Sequence, residues 1–360
     1  MRLSDIVDRF EPALLEQYDS RLSSDMRRAL RCWRHCRSEH LPQLDCRCEA
    51  CLAQTQVPLA CGHRACPHCQ HDVGADWLEQ QRRLRLPVDY FLLTFTLPAQ
   101  LRGLARRHPR ELYAALMQCA WQTLAKFARN GRGVELGATA VLHTHSRTRD
   151  YHPHVHLVVP GGGLNLDSGQ WKAKRRYLFN SQNLARVFRA KLLQRLRTLG
   201  LSAPPDTPKD WVAHCACVGD GEHALAYLAR YLYRGVLSEA DMLGIEGDTV
   251  RFRYRDAKSG ELRTRSLPGA DFLWLLLAHV LPRGFRRCRS YGLLHHRRAH
   301  LLQRVQLMLR VVLPPAEPRT RRPLLCKHCG QPMRIRPAAL TRPRIESVGY
   351  SSPAAGPSTV

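Results

Sequence analysis

Acidic side chains are scarce in this chain. Its 360 residues hold 30 Asp and Glu against 56 Lys and Arg, a formal charge of +26. A deficit of that size favours a polyanionic partner, and nucleic acid is the commonest one. The blander alternatives are an inert basic surface, a ribosome-associated protein or a membrane-surface protein. Most of the surplus is Arg, which suits bidentate contact with phosphate. Long hydrophobic runs are also missing. The most apolar stretch, Phe272–Val280, is too short to span a bilayer and contains His279, so no membrane partner is expected. Met1–Phe10 mixes charges freely, and a secretory signal is not expected. The chain then reads as cytoplasmic, where its 14 cysteines stay reduced and available to metal rather than paired as disulfides. Internal repeats are absent, and no nucleotide cofactor is expected.

What is present is enough for a folded core, since 44% of the residues are hydrophobic. Leu14, Leu15, Tyr18 and Leu22 give residues 1–34 a helical spacing, and residues 35–71 are dense in Cys and His with little periodicity. The pattern predicts a short helix over 76–86, a buried strand over Tyr90–Leu97 stopped by Pro98, and a helix over 110–129. Residues 134–145 and 152–159 read as a strand hairpin with a loop around Arg147–Asp150. A basic helix follows at 181–198, then a strand over Trp211–Val218 and a helix over Glu222–Arg234. Residues 249–267 read as a hairpin turning at Lys258–Gly260, residues 270–311 as helical and basic, and the last 25 or so residues as disordered. The order predicts an α+β layout, with helices packed on an antiparallel sheet. The expected division is an N-terminal helical and Cys-rich zinc-binding domain (1–85), a catalytic core (86–240), a DNA-binding extension of basic β-hairpin and helices (241–313), and a basic CxxC segment with a disordered tail (314–360).

Cys48-x-x-Cys51 and Cys66-x-x-Cys69 have the spacing of a four-cysteine structural Zn2+ site. Two such knuckles bring four thiolates to one tetrahedral ion without a large core. Cys36, Cys46, Cys61, His40, His63, His68 and His71 are surplus ligands, and a second zinc site would use Cys36 and Cys61. Such a unit needs no open coordination position, so its role is DNA binding or scaffolding. Cys326-x-x-Cys329 is a lone pair, either half of a zinc ribbon completed by His328 or by the N-terminal cysteines, or without function.

Residues 151–159 read Tyr-His-Pro-His-Val-His-Leu-Val-Val. Alternate residues of a strand share a face, so His154 and His156 project together while Val155 turns into the core. Two imidazoles on a rigid strand make half a shell for a divalent ion, Mg2+ or Mn2+. The alternative is a strand whose histidines face solvent. His143 and His145 on the preceding strand are candidates for a third ligand, with His143 preferred. Downstream, Tyr227 and Tyr231 stand four apart in a helical segment and so lie one turn apart on one face. A phenol is a weak nucleophile until it loses its proton, and a metal beside it would polarise a scissile phosphate. Arg230 and Arg234 follow each tyrosine by three residues and are candidates for binding phosphate. The competing reading of Tyr227 and Tyr231 is a core or stacking role. Taken together, the elements point to metal-assisted transesterification of DNA.

These stretches resemble the two-tyrosine HUH transposases of the insertion-sequence-91 family. The resemblance is carried by His152–Gly163, by Tyr227–Tyr231 (Tyr-Leu-Ala-Arg-Tyr), by Tyr90–Leu101, by Cys66–Gln70, and by His279–Phe285 with Tyr291-Gly292, all in family order across residues 25 to 335. It implies an HUH-type nuclease core behind a small zinc-binding domain, in a bacterial, nucleoid-associated protein. It also implies nicking of single-stranded DNA at element ends and target by a rolling-circle-like route, with Tyr227 or Tyr231 forming a 5′-phosphotyrosine link and the second tyrosine transferring the partner strand. The chain departs from the family pattern after Tyr231, where Leu-Tyr-Arg stands in place of Thr-His-Arg. A plasmid replication initiator or relaxase would share the chemistry. A zinc-dependent DNA-binding regulator would not use the tyrosines at all.

Overall fold

A computed structural model of the chain describes residues 1–66, 69, 73–145, 151–175, 179–233, 237, 239–255, 261–312 and 323–336. They divide between a larger unit, residues 1–34 with 62–317, and a smaller unit, residues 35–61 with 318–360. The larger unit is α+β. Its central sheet has five strands in the order Cys288–Gly292, Gly137–His145, Tyr151–Pro160, Tyr90–Thr96, Ala213–Cys217. All of the neighbouring pairs are antiparallel.

Strand alternation gives this sheet two apolar faces, and each is covered. Phe91, Leu93, Phe95, Val155, Leu157 and Val159 pack with Leu112 and Leu116 of helix Pro109–Arg132 and with Phe188 and Leu192 of helix Ser181–Thr198. Tyr90, Val141 and Val158 on the other face pack with Trp77 of helix Val73–Arg83 and with Leu225 and Leu228 of helix Glu222–Tyr233. Phe91, Phe95 and Phe188 are fully buried, and each contributes roughly 1.5–3 kcal/mol through burial. Local signals set the helix starts. Pro109 occupies the first turn of its helix. Asn180 caps the next one by accepting the Asn183 amide through its side-chain oxygen.

The structure departs from the sequence reading in three places. Residues 270–311 are not helical throughout: helices Gly269–Leu277 and Ala299–Met308 flank the strand Cys288–Gly292, which forms one edge of the central sheet. Phe285, Cys288 and Tyr291 stand three apart and imitate a helical period, whereas Tyr291 in fact stacks on Trp121 with ring centroids 5.3 Å apart. The hairpin Thr249–Arg255 and Leu262–Pro268 gains a third strand, Met242–Glu246. Its expected turn at 258–260, the loop at 147–150 and the C-terminal tail lie outside the described residues. Finally, residues 43–48 and 54–58 are strands, and residues 333–335 pair with the first of them to form the smaller unit's sheet. The sequential boundaries at 85 and 314 therefore separate pieces that the structure joins. The reason is a pairing between residues nearly 300 positions apart, which no local pattern can show. No described helix is long and apolar enough to cross a membrane.

The tyrosine helix begins at a tight turn after strand Ala213–Cys217. Gly219 and Gly221 both have positive φ, 63° and 82°. A Cβ on Gly221 would lie 2.7 Å from the Tyr90 ring, whereas one on Gly219 would meet nothing within 4 Å. Gly219→Ala should then incur only the left-handed penalty, roughly 1–2 kcal/mol, and Gly221→Ala should cost about 1 kcal/mol or more beyond that. Urea denaturation of the two variants measures the difference.

Candidate active site and metal centres

The hairpin of strands Gly137–His145 and Tyr151–Pro160 sets His143 opposite His154 and Val141 opposite His156. His143, His154 and His156 therefore share the sheet face that Val141 and Val158 present to the tyrosine helix. Their ligand nitrogens all lie within 4.8 Å of one another. Ring centroids are 4.5 Å apart for His143 and His156, 4.9 Å for His154 and His156, and 5.1 Å for His143 and His154. His145 is drawn away from this group. The register shifts between His143 and His145, and His145 packs instead against His279, with centroids 3.9 Å apart, and against Tyr151. Of the two candidates for a third ligand, the structure brings His143 to the pair.

The chemistry of the three rings suits a divalent ion. Burial, then the neighbouring His156, His154 and Arg287, hold His143 well below the ordinary histidine value. His154 is pushed down to about 4, chiefly by burial, against the opposing effect of its bond to His152. Both rings are thus neutral at neutral pH, the state in which imidazole ligates a metal. His154 Nδ1 donates to the His152 carbonyl at 2.6 Å, which leaves Nε2 as the nitrogen with a free lone pair. His156 Nδ1 and Thr94 Oγ1 share a hydrogen bond of 2.9 Å, made possible because Thr94 stands opposite His156 in the register. Arg102 donates to His152 Nδ1 at 2.6 Å. Sequence reading passed over Thr94 and Arg102. Thr94 and Thr96 alternate with Leu93 and Phe95, and that alternation in a strand read as wholly buried was the available signal.

Tyr227 lies beside the histidines, its ring centroid 6.2 Å from His143 and 6.4 Å from His156, and it is 36% exposed. Buried Ala224, Leu225, Leu228 and Ala229 fix that side of its helix to the sheet. Tyr231 and Arg230 belong to the same helix, with side chains outside the described residues, and Arg234 lies outside them altogether.

The cysteines group differently from the spacing argument. Cys48 and Cys51 were expected to share an ion with Cys66 and Cys69. In the structure they meet Cys326 and Cys329 instead, with all four sulfurs within 4.8 Å of one another. Cys48 and Cys329 sulfurs are 3.4 Å apart, and those of Cys51 and Cys326 are 3.6 Å apart. Strand Met333–Ile335 pairs with strand Gln43–Cys48, placing Met333 opposite Cys48, and this carries the C-terminal knuckle alongside the N-terminal one. The backbone amides of Cys51 and then Ala50 help draw the Cys48 thiol down to about 7, and those of Cys329 and His328 lower Cys326. Four sulfurs in this arrangement, with amides favouring the thiolates, fit a structural zinc. Cys66 is buried in the larger unit and accepts the Cys69 amide through its carbonyl at 3.2 Å. Cys36 and Cys61 belong to the smaller unit.

Two family models match the chain. One, described as "Putative transposase", covers residues 137–300, and the other, a transposase zinc-binding domain, covers residues 6–97. "Putative transposase y4qJ" of Sinorhizobium fredii is 32% identical over 321 residues, spanning 82% of this chain and 80% of that protein. The transposase for insertion sequence element IS801 of Pseudomonas savastanoi pv. phaseolicola is 31% identical over 285 residues, 72% of this chain and 67% of that one. Among solved structures, TrwC complexed with a 27-mer DNA comprising the recognition hairpin and the cleavage site matches at a TM-score of 0.24 and 20% identity, over 34% of this chain and about half (49%) of that one. An α+β core with a histidine cluster and a cysteine-rich zinc domain, in a chain 32% identical to a transposase over 82% of its length, is a transposase. The chain belongs to the insertion-sequence-91 family of transposases.

Cys326→Ala should lose zinc and melt the smaller unit although the N-terminal Cys48–Cys51 knuckle is intact, as metal analysis and amide exchange at residues 43–58 would show. Thr94→Val should weaken Mn2+ binding about 10- to 100-fold in calorimetry, with Thr94→Ser retaining most of the affinity.

Proposed function

We propose that this protein nicks and rejoins single-stranded DNA at element ends by metal-assisted tyrosine transesterification, in a rolling-circle type of transposition. The observation that carries the reading is the meeting of His143, His154 and His156 beside the half-exposed Tyr227. His143, His154 and His156 would hold Mg2+ or Mn2+, with water completing the shell. When bound, that ion supplies polarisation of the scissile phosphate and stabilises its developing charge.

The chain's own residues do the rest. The sheet holds the three rings in place, and the His152 carbonyl and Thr94 hydroxyl fix two of them in orientation. The oxygen of Tyr227 or Tyr231 attacks phosphorus, and the bond from phosphorus to the 3′ oxygen breaks. The phenolic proton leaves to solvent, and the departing oxygen takes up a proton to become a free 3′-hydroxyl. The product is a 5′-phosphotyrosine link, which a strand carrying a 3′-hydroxyl reverses in the joining step. The second tyrosine gives the enzyme a second strand to hold covalently. Arg230 and Arg234 are assigned to phosphate on the sequence argument. The setting is the bacterial cytoplasm, at the nucleoid.

Incubation with single-stranded oligonucleotides from the element's ends and Mg2+ or Mn2+ should give a covalent protein–DNA band on a denaturing gel. The double variant Tyr227→Phe/Tyr231→Phe should abolish the band, and His154→Ala should reduce it by about 100-fold or more. Binding with no covalent band, across several end sequences and both metals, would return the zinc-dependent regulator as the better reading.

A further inference from the structure

Helix Ser181–Thr198 carries more positive charge than its place in the core requires. Between Asp167 and Asp206 the sequence holds no acidic residue. The helix buries Leu184, Ala185, Phe188, Leu192 and Leu196 against the sheet side, which is all that packing needs of it. The side turned away from the sheet carries Arg186 and Arg197, both exposed, with half-buried Arg189 on its shoulder, whereas exposed Arg195 and half-buried Lys191 fall on the opposite flank, toward helix Pro109–Arg132. Among the described residues, none of the five lies within ion-pair distance of a carboxylate. Arg189 donates to the Pro208 carbonyl at 3.3 Å, and Arg195 to the Thr198 hydroxyl at 3.5 Å. Ordinary surface helices intersperse both signs, because unpaired like charges repel one another. The positive field also reaches the neighbouring helix: burial pushes the Cys119 thiol up to about 11, against the opposing pull of Lys191 and Arg195.

The position and shape of the ridge identify its partner. The helix covers the sheet face of Phe91, Leu93 and Phe95, whereas the histidines project from the opposite face. The ridge is therefore separate from the nicking site. From Arg186 to Arg197 it rises about 16 Å, at 1.5 Å per residue, long enough to meet several phosphates of a duplex. Surfaces for single strands combine a groove with exposed aromatic platforms for the bases. The helix is convex, and Phe188, its one aromatic residue, is fully buried. A convex row of guanidinium groups without a stacking platform suits sequence-independent backbone binding.

We infer that the outer side of helix Ser181–Thr198 is a docking face for the phosphate backbone of duplex DNA, on the far side of the sheet from the histidine cluster. The inference rests on the DNA-joining reading above, in that the duplex would be the DNA flanking the nicked strand.

The test uses the full-length protein with Arg186→Gln/Arg189→Gln/Arg197→Gln, and a matched triple Lys variant. Binding to a non-cleavable duplex of about 30 base pairs, long enough to span the ridge, is followed by fluorescence anisotropy across a salt series. The triple Gln variant should flatten the plot of log K against log salt by about 2.7, at ~0.9 for each phosphate that is no longer neutralised, and bind at least about ten-fold more weakly near 0.1 M salt. The Lys variant should keep the wild-type slope. An unchanged melting temperature and an unchanged covalent band on single-stranded oligonucleotide would show that fold and chemistry are intact. An unchanged duplex slope overturns the inference, as does a loss confined to single-stranded DNA. Tyr227→Phe/Tyr231→Phe should bind the duplex with the full slope, so failure of the nicking chemistry and failure of this face are read separately.

Discussion

The antiparallel pairing of Gly137–His145 with Tyr151–Pro160 is the constraint on which the rest of the larger unit depends. Because both strands are covered on both faces, a slip of one residue would exchange the histidines with Val155 and Leu157. Three imidazoles would then face helix Pro109–Arg132 in an apolar layer, and the core would lose its aliphatic side chains to the tyrosine helix. The hydrophobic layers thus hold the metal-ligand geometry in register, and the cost of a misregistered site is a misregistered core. This arrangement needs no carboxylate. His143 and His154 are kept neutral chiefly by burial, so these two rings are ready for a cation before one arrives.

Much of this was legible because it is local. A period of two around Val155 identifies the histidine strand, a period near four identifies the tyrosine helix, and helix 181–198 shows its bounds through Asn180 and the apolar run from Leu184 to Leu196. The choice between His143 and His145 was not legible. Both have the right parity on a regular strand, and only the register shift between them decides it. Nor was the role of Thr94, which depends on standing opposite a residue 62 positions away. Edge strand Cys288–Gly292 hid behind an apolar spacing of three that serves a stacked Trp121–Tyr291 pair.

The zinc unit shows the same limit in stronger form. A spacing of 14 residues between two CxxC pairs is good evidence that cysteines bind metal, and poor evidence for which cysteines share an ion. Knuckle geometry is encoded locally, through amides that point at the sulfurs. Partner choice is encoded in a strand pairing between residues 46–48 and 333–335.

That pairing also sets an order in time. Cys51 and Cys326 are 275 residues apart, so at roughly 5–20 residues per second the N-terminal knuckle waits on the order of 14–55 seconds on the ribosome before its partner is made. During that interval the larger unit's strands and helices up to residue 312 can already have emerged. Closure of the four-sulfur cage then waits on the synthesis of Cys326 and Cys329, and it reports that translation ran past Cys329. A copy cut short before Cys326 by a frameshift or an internal stop would leave Cys48 and Cys51 half-coordinated and strand Gln43–Cys48 without its C-terminal neighbour, with the histidines untouched.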